Sequence, residues 1–126
     1  MAVTSYKVLI VWQKSMALSR DVEELASRLP PHHRFALALQ LRRSSSSISF
    51  NIAEGQQRTT RAYIQHLIVA LGSEAELQSQ LRLIANSRLA SPSEVDPLLD
   101  RASEIGRMLR GLVRSLREHL RRDAGP

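Results

Sequence analysis

A chain of 126 residues and 14.2 kDa has the size of one domain and, lacking cysteine, holds neither a disulfide framework nor a thiolate metal site or nucleophile. Its longest apolar run, Leu67 to Leu71, falls far short of the roughly 20 residues that cross a bilayer, and Met1 to Ile10 lack the basic and apolar regions of a secretory leader, so a cytoplasmic protein with no membrane role is expected. The formal net charge is +6 and only Lys7 and Lys14 are lysine, an arginine surplus that favours anionic partners.

Period-two alternation is absent and spacings of three and four recur, so every element is predicted helical. The first helix spans about 8–29, with Val8, Val11, Ser15, Leu18, Val22, Leu25 and Leu29 stepping 3-4-3-4-3-4 like a coiled-coil seam. Pro30-Pro31 ends it, leaving His32-His33 in a loop. The second spans about 34–54: Leu37, Leu41, Ile48 and Ile52 share a face, Ser44 or Ser45 acts as small filler, and Gly55 stands where a left-handed cap is expected. The third spans about 60–88, capped by Thr59 or Thr60, with Ile64, Leu67, Leu71, Leu81 and Ile84 or Ala85 inward. Its run Leu67 to Leu71 is apolar on more than one side, the mark of a helix that is central or covered by another subunit. The fourth spans about 92–121, opening on the capping box Ser91-Pro92-Ser93-Glu94, with Asp96-Pro97 as a second possible start. Its seam is Leu98, Ala102, Ile105, Leu109, Leu112, Leu116 and His119 or Leu120, and Asp123 to Pro126 reads as a frayed tail. Four amphipathic helices on short loops imply an all-α, antiparallel up-down bundle in a single domain, 1–126.

Two polar stripes follow the same rhythm. Gln40, Arg43, Ser47, Asn51, Glu54 and Arg58 run along the second helix, and His66, Ser73, Glu76 and Gln80 along the third. They either meet each other or another subunit as a network that fixes register or oligomeric state, or they are solvated faces. On the fourth helix Arg107, Arg110, Arg114, Arg117 and Arg121 step 3-4-3-4 along one side. Such a face tracks phosphates, unless it is an ordinary solvated face suited to a helix C-terminus, where Glu104 and Glu118 are available as partners. Arg42, Arg58 and Arg61 are further candidates for phosphate contact. Trp12 and Phe35 are expected in the core or at an interface, and no aromatic is interleaved with the arginines as a single-strand stacking platform needs. No phosphate loop, GxGxxG, GxSxG, HExxH or Glu-x-x-His pair occurs, and His32, His33, His66 and His119 are scattered. No enzyme, cofactor or metal is expected.

The strings VLIVWQKS (Val8 to Ser15), LALQLRRSSSSISFNIAEG (Leu37 to Gly55) and YIQHLIVALGSEAELQSQL (Tyr63 to Leu81) carry a resemblance. In order and spacing they are similar to the four-helix-bundle proteins once called S23 ribosomal proteins, encoded by intervening sequences in bacterial 23S ribosomal RNA genes. The resemblance covers about Tyr6 to Leu120; Gln40, Arg43, Asn51 to Gly55, Arg58 and Gly72-Ser73 are its specific part, and Ser44 departs from a frequent alanine. It implies a homopentamer closed around an axis by a heterologous interface. The accessory variability proteins of diversity-generating retroelements resemble the same pentamer, with a reverse transcriptase and nucleic acid as partners. The expectation is therefore a self-assembling accessory protein that binds RNA or DNA through Arg107, Arg110, Arg114, Arg117, Arg121, Arg42, Arg58 and Arg61. Gln40, Arg43, Asn51, Glu54, Ser73, Glu76 and Gln80 would form the polar network or oligomer interface. The alternative is a scaffold for a protein partner encoded nearby, with no nucleic-acid role.

Overall fold

The 3-4 spacing of apolar residues becomes four helices: α1 (Ile10–Ser27), α2 (Pro31–Gln56), α3 (Thr60–Asn86) and α4 (Pro92–Ala124), with a 3₁₀ turn at Tyr6–Val8 ahead of them. The structure, a computed structural model, describes residues 5–124 apart from the Arg34 side chain, and no strand occurs among them. Each helix packs on its neighbours in sequence, α1 closes on α4, and the α2–α3 interface is the most extensive. The α1–α4 ion pairs Lys14–Glu104, Asp21–Arg101 and Arg28–Glu94 fix an antiparallel register.

The seams of all four helices meet in one core. Leu18, Val22, Leu25, Leu41, Ile48, Ile52, Leu67, Leu77, Leu81, Ile84, Ile105 and Leu109 are almost wholly withdrawn from water. Ser44 and Ser45 are both buried; the Ser45 hydroxyl bonds back to the Arg42 carbonyl of its own helix and the Ser44 hydroxyl reaches Gln80 Oε1 on α3, which removes the cost of placing each in a core.

The caps follow local chemistry. Thr59 accepts from the Ala62 amide at 3.3 Å and opens α3. Pro92 sits in the first turn of α4, and the Ser91 amide donates to Glu94 Oε1 at 3.2 Å, one arm of a capping box. Two bonds, Leu89 N to Ile84 O and Arg88 N to Ala85 O, close α3 as a Schellman motif. The left-handed residue is Arg88, at φ 59°.

Several sequence expectations are corrected. Val8 lies in the 3₁₀ turn and is exposed, because α1 starts only at Ile10. Pro31 begins α2 instead of ending a loop, since its fixed φ and missing amide suit a first turn, and His32 and His33 lie in that turn with ring centroids 4.2 Å apart. Gly55 is not a left-handed cap. It lies inside α2, buried, where a Cβ would come within 2.7 Å of His66 Cβ and 2.9 Å of Tyr63 Cδ1, so its role is close helix approach. α4 runs unbroken through Pro97. It also continues through Ala124, where a frayed tail was expected; Gly125 and Pro126 lie outside the described residues. Phe35 is 84% exposed and takes no part in the core. Trp12 is half-buried, edge-on to Tyr6 at 5.1 Å.

Candidate functional site

Helix length sets up the site. At about 1.5 Å per residue, α1 is about 27 Å long and α4 about 50 Å. The register places Ile10 opposite the middle of α4, so α4 continues for about four to five turns beyond the start of α1, roughly half its length. Along the covered half, ion pairs tie α1 to α4 and to α2. Lys14 Nζ reaches Glu104 at 3.0 Å, Arg101 Nη1 reaches Asp21 at 2.6 Å, Arg28 reaches Glu94 at 3.4 Å, and Arg42 grips Glu23 with Nε and, at 2.9 Å, Nη2. These contacts shift the acids. The Arg101 hydrogen bond holds Asp21 below the ordinary carboxylate range, and the Arg42 hydrogen bond does the same for Glu23. For Glu94 the first cause is the Ser91 backbone amide.

The far half is different in kind. α3 has no carboxylate from Thr60 to Ser73, and α4 has none between Glu104 and Glu118. Those stretches carry Arg61, Arg107, Arg110, Arg114 and Arg117, five positive charges in a chain whose net is +6. None of the five has an ion-pair partner among the described residues, whereas Arg121 stands 3.9 Å from Glu118. Glu104, available in principle to these arginines, is taken by Lys14. Arg110, Arg114, Arg117 and Arg121 line a groove of roughly 440 Å³ between α3 and α4, and Ile68, Leu71 and Val113 form its apolar floor.

Near Arg110, outside that groove's lining, lies a residue the sequence reading passed over. Glu74 is only 3% exposed, in the core seam seven residues from both Leu67 and Leu81. Its Oε2 accepts from Gln78 at 2.6 Å. Its Oε1 fills the space beside Gly106, where a Cβ would lie 2.1 Å from it and 3.5 Å from Arg110 Nη1. Gly106 thus admits a carboxylate into the α3–α4 contact; the seven-residue spacing was the available signal.

The two polar stripes meet within the chain, between α2 and α3. Ser44 Oγ donates to Gln80 Oε1 at 2.6 Å, and Ser73 Oγ donates to Ser47 Oγ at 2.8 Å. Asn51 Nδ2 donates to the Ser47 carbonyl at 2.8 Å, leaving Asn51 Oδ1 to accept from His66 Nδ1 at 3.0 Å. Glu54 adds a 3.8 Å approach to His66 and a 3.0 Å pair with Arg58. Gln40, Arg43 and Glu76, predicted for the same network, have exposed side chains outside it. Of the outlying arginines, Arg42 and Arg58 are paired within the chain and Arg61 is exposed on α3 without a carboxylate.

A second cleft, roughly 270 Å³, lies at the α2–α3 turn among Leu9, Arg58, Thr60, Tyr63, Leu112 and Leu116. The Tyr63 hydroxyl is buried without a hydrogen-bond partner among the described residues, and burial pushes its pKa up. Among the described residues no cluster of His, Asp or Glu is placed to hold a metal, and no helix is long and apolar enough to cross a membrane.

Comparison with known proteins places this geometry in context. No curated protein matches the chain. A solved structure at 1.70 Å, of a protein of unknown function from the S23 ribosomal protein family of Bacteroides thetaiotaomicron, superposes with a TM-score of 0.78. It is 24% identical and covers 82% of this chain and 98% of its own, which establishes the shared four-helix fold. The family model described as 23S rRNA-intervening sequence protein matches residues 7–111, leaving Arg114, Arg117 and Arg121 beyond the matched segment. A match over that much of the chain, taking in α1 to α3 and more than half of α4, makes this protein a member of the 23S rRNA-intervening sequence protein family.

Proposed function

We propose that this chain is a self-assembling, non-enzymatic accessory protein that binds nucleic acid through the C-terminal half of α4. The observation that carries the reading is the run of arginines at 107, 110, 114 and 117, held on one helix face with no carboxylate partner among the described residues. Cations left unpaired at the surface, next to a neighbouring helix stretch without acids, are free to replace the counterions of a phosphate backbone. A face needed only for solubility gains nothing from excluding acids on both of its helices.

Self-assembly is supported by apolar side chains left outside the core. Phe35 and Phe50 on α2, and Val69 and Leu83 on α3, are exposed at helical spacings that keep each pair on one side of its helix. Gly72 has open space around it on α3, which leaves room for a close neighbour. The family resemblance adds a ring of five as the expected assembly.

The test is binding of nuclease-treated protein to labelled structured RNA and to duplex DNA across a salt series, with the native mass measured on the same preparation. About four phosphate contacts per protomer predict a log–log slope of roughly −3 to −4. The mass should be a multiple of 14.2 kDa. Absence of binding at low salt would refute the nucleic-acid reading and turn attention to a protein partner.

A further inference from the structure

The groove between α3 and α4 has more structure than phosphate binding requires. A duplex presents phosphates outward and keeps its bases stacked, so a flat row of arginines would serve it equally well. Here the arginines flank a depression floored by Ile68, Leu71 and Val113, and Ile68 keeps 38% of its surface exposed there. Its roughly 440 Å³ lies within the range of sites that take small organic groups. Every polar side chain lining it is an arginine, so it offers donors and no acceptor. Along the helix axis Arg110, Arg114, Arg117 and Arg121 follow one another at intervals of about 4.5–6 Å, a regular cationic repeat suited to a repeating anion.

We propose that this groove holds an unpaired nucleotide, its base on the aliphatic floor and its flanking phosphates on the arginine rim. The inference rests on the nucleic-acid reading above and adds to it the kind of strand taken: single-stranded or looped, in preference to duplex. The base stacks against guanidinium planes and aliphatic carbon, which is consistent with the lack of aromatics among the arginines. With donors only and no shaped acceptor, recognition is tolerant of base identity. Val113, Arg114, Arg117 and Arg121 lie beyond the segment matched by the family model, whereas Ile68, Leu71 and Arg110 lie within it.

The experiment compares an unstructured 12-nucleotide oligouridine, a duplex of the same length and inorganic polyphosphate, each titrated against the intact protein and Ile68→Ser. That exchange leaves the charge unchanged at a side chain already partly in water. Wild-type protein should bind the single strand about fivefold more tightly than the duplex, and Ile68→Ser should erase most of that margin. Its affinity for duplex and polyphosphate should change less than about twofold, since both are held by charge alone. Equal binding of all three by wild-type protein, or an unchanged preference in Ile68→Ser, would overturn the groove proposal and leave the basic-face reading standing. Failure of all three to bind would remove both. Binding of an acidic amphipathic peptide in their place would assign the groove to a protein partner.

Discussion

The two halves of α4 make a controlled comparison within one helix. From Glu94 to Glu104 it lies against α1, and Glu94, Arg101 and Glu104 are answered across the interface by Arg28, Asp21 and Lys14. From Arg107 to Arg117 it has outrun α1, the nearest acid on α3 is the buried Glu74, and its four arginines have no ion-pair partner among the described residues. Both halves have the same apolar seam, so helix formation does not separate them. What separates them is whether folding has already used the charges. Exposed pairs such as those of the first half contribute little to stability but leave little charge for a partner. The second half keeps its charge available.

That contrast can be sharpened first with paired truncations. Leu109 is fully buried at the covered end, and Leu116 only partly so in the extension. Leu109→Ala should cost about 2–5 kcal/mol in chemical denaturation, and Leu116→Ala less than about 1.5 kcal/mol because the site is already partly hydrated. Similar losses would show that the extension is an integral part of the folding core, contrary to the division drawn here.

A smaller effect concerns pH. Asp21 and Glu23 titrate below their ordinary values of 3.8 and 4.5 in the folded state, held there by Arg101 and Arg42. A carboxylate with a lowered folded-state pKa contributes stability that is fully present above its unfolded value. That contribution is lost as pH falls through the folded value. Tm should therefore be flat above about pH 5 and decline below about pH 4, with Asp21→Asn reducing the decline. Both side chains are about a third to a half exposed, so each contributes under about 1 kcal/mol. Nucleic-acid affinity of Asp21→Asn should be unchanged; a large change would mean the covered half also contacts the ligand.

Periodicity made the inward faces legible residue by residue: Ser15, Leu18, Val22 and Leu25 in α1, and Leu98, Ala102, Ile105 and Leu109 in α4, are all buried. Caps with their own side-chain chemistry, Thr59 and Ser91 with Glu94, were equally visible. Features that depend on how closely or in what register two helices approach were not. Gly55 looks like a cap until His66 and Tyr63 are seen against it, and Glu74 looks like surface until Gly106 makes room for it. The arginine stripe could be read from its spacing. That it is unpaired could not, because pairing depends on where α1 stops relative to α4. The absence of acids from both 60–73 and 105–117 was the one sequence signal that pointed there.

The most direct test sets two charge-matched variants against the same labelled structured RNA. One replaces Arg110, Arg114 and Arg117 with glutamine; the other replaces Lys14, Arg28 and Arg101 with glutamine. Each removes three positive charges, so long-range electrostatics change alike and only location differs. The first variant should lose roughly tenfold or more in affinity and about 2–3 units of salt slope, while the second stays within about threefold of wild type. Equal losses in the two variants would contradict this, because binding would then follow net charge and not the unpaired face of α4.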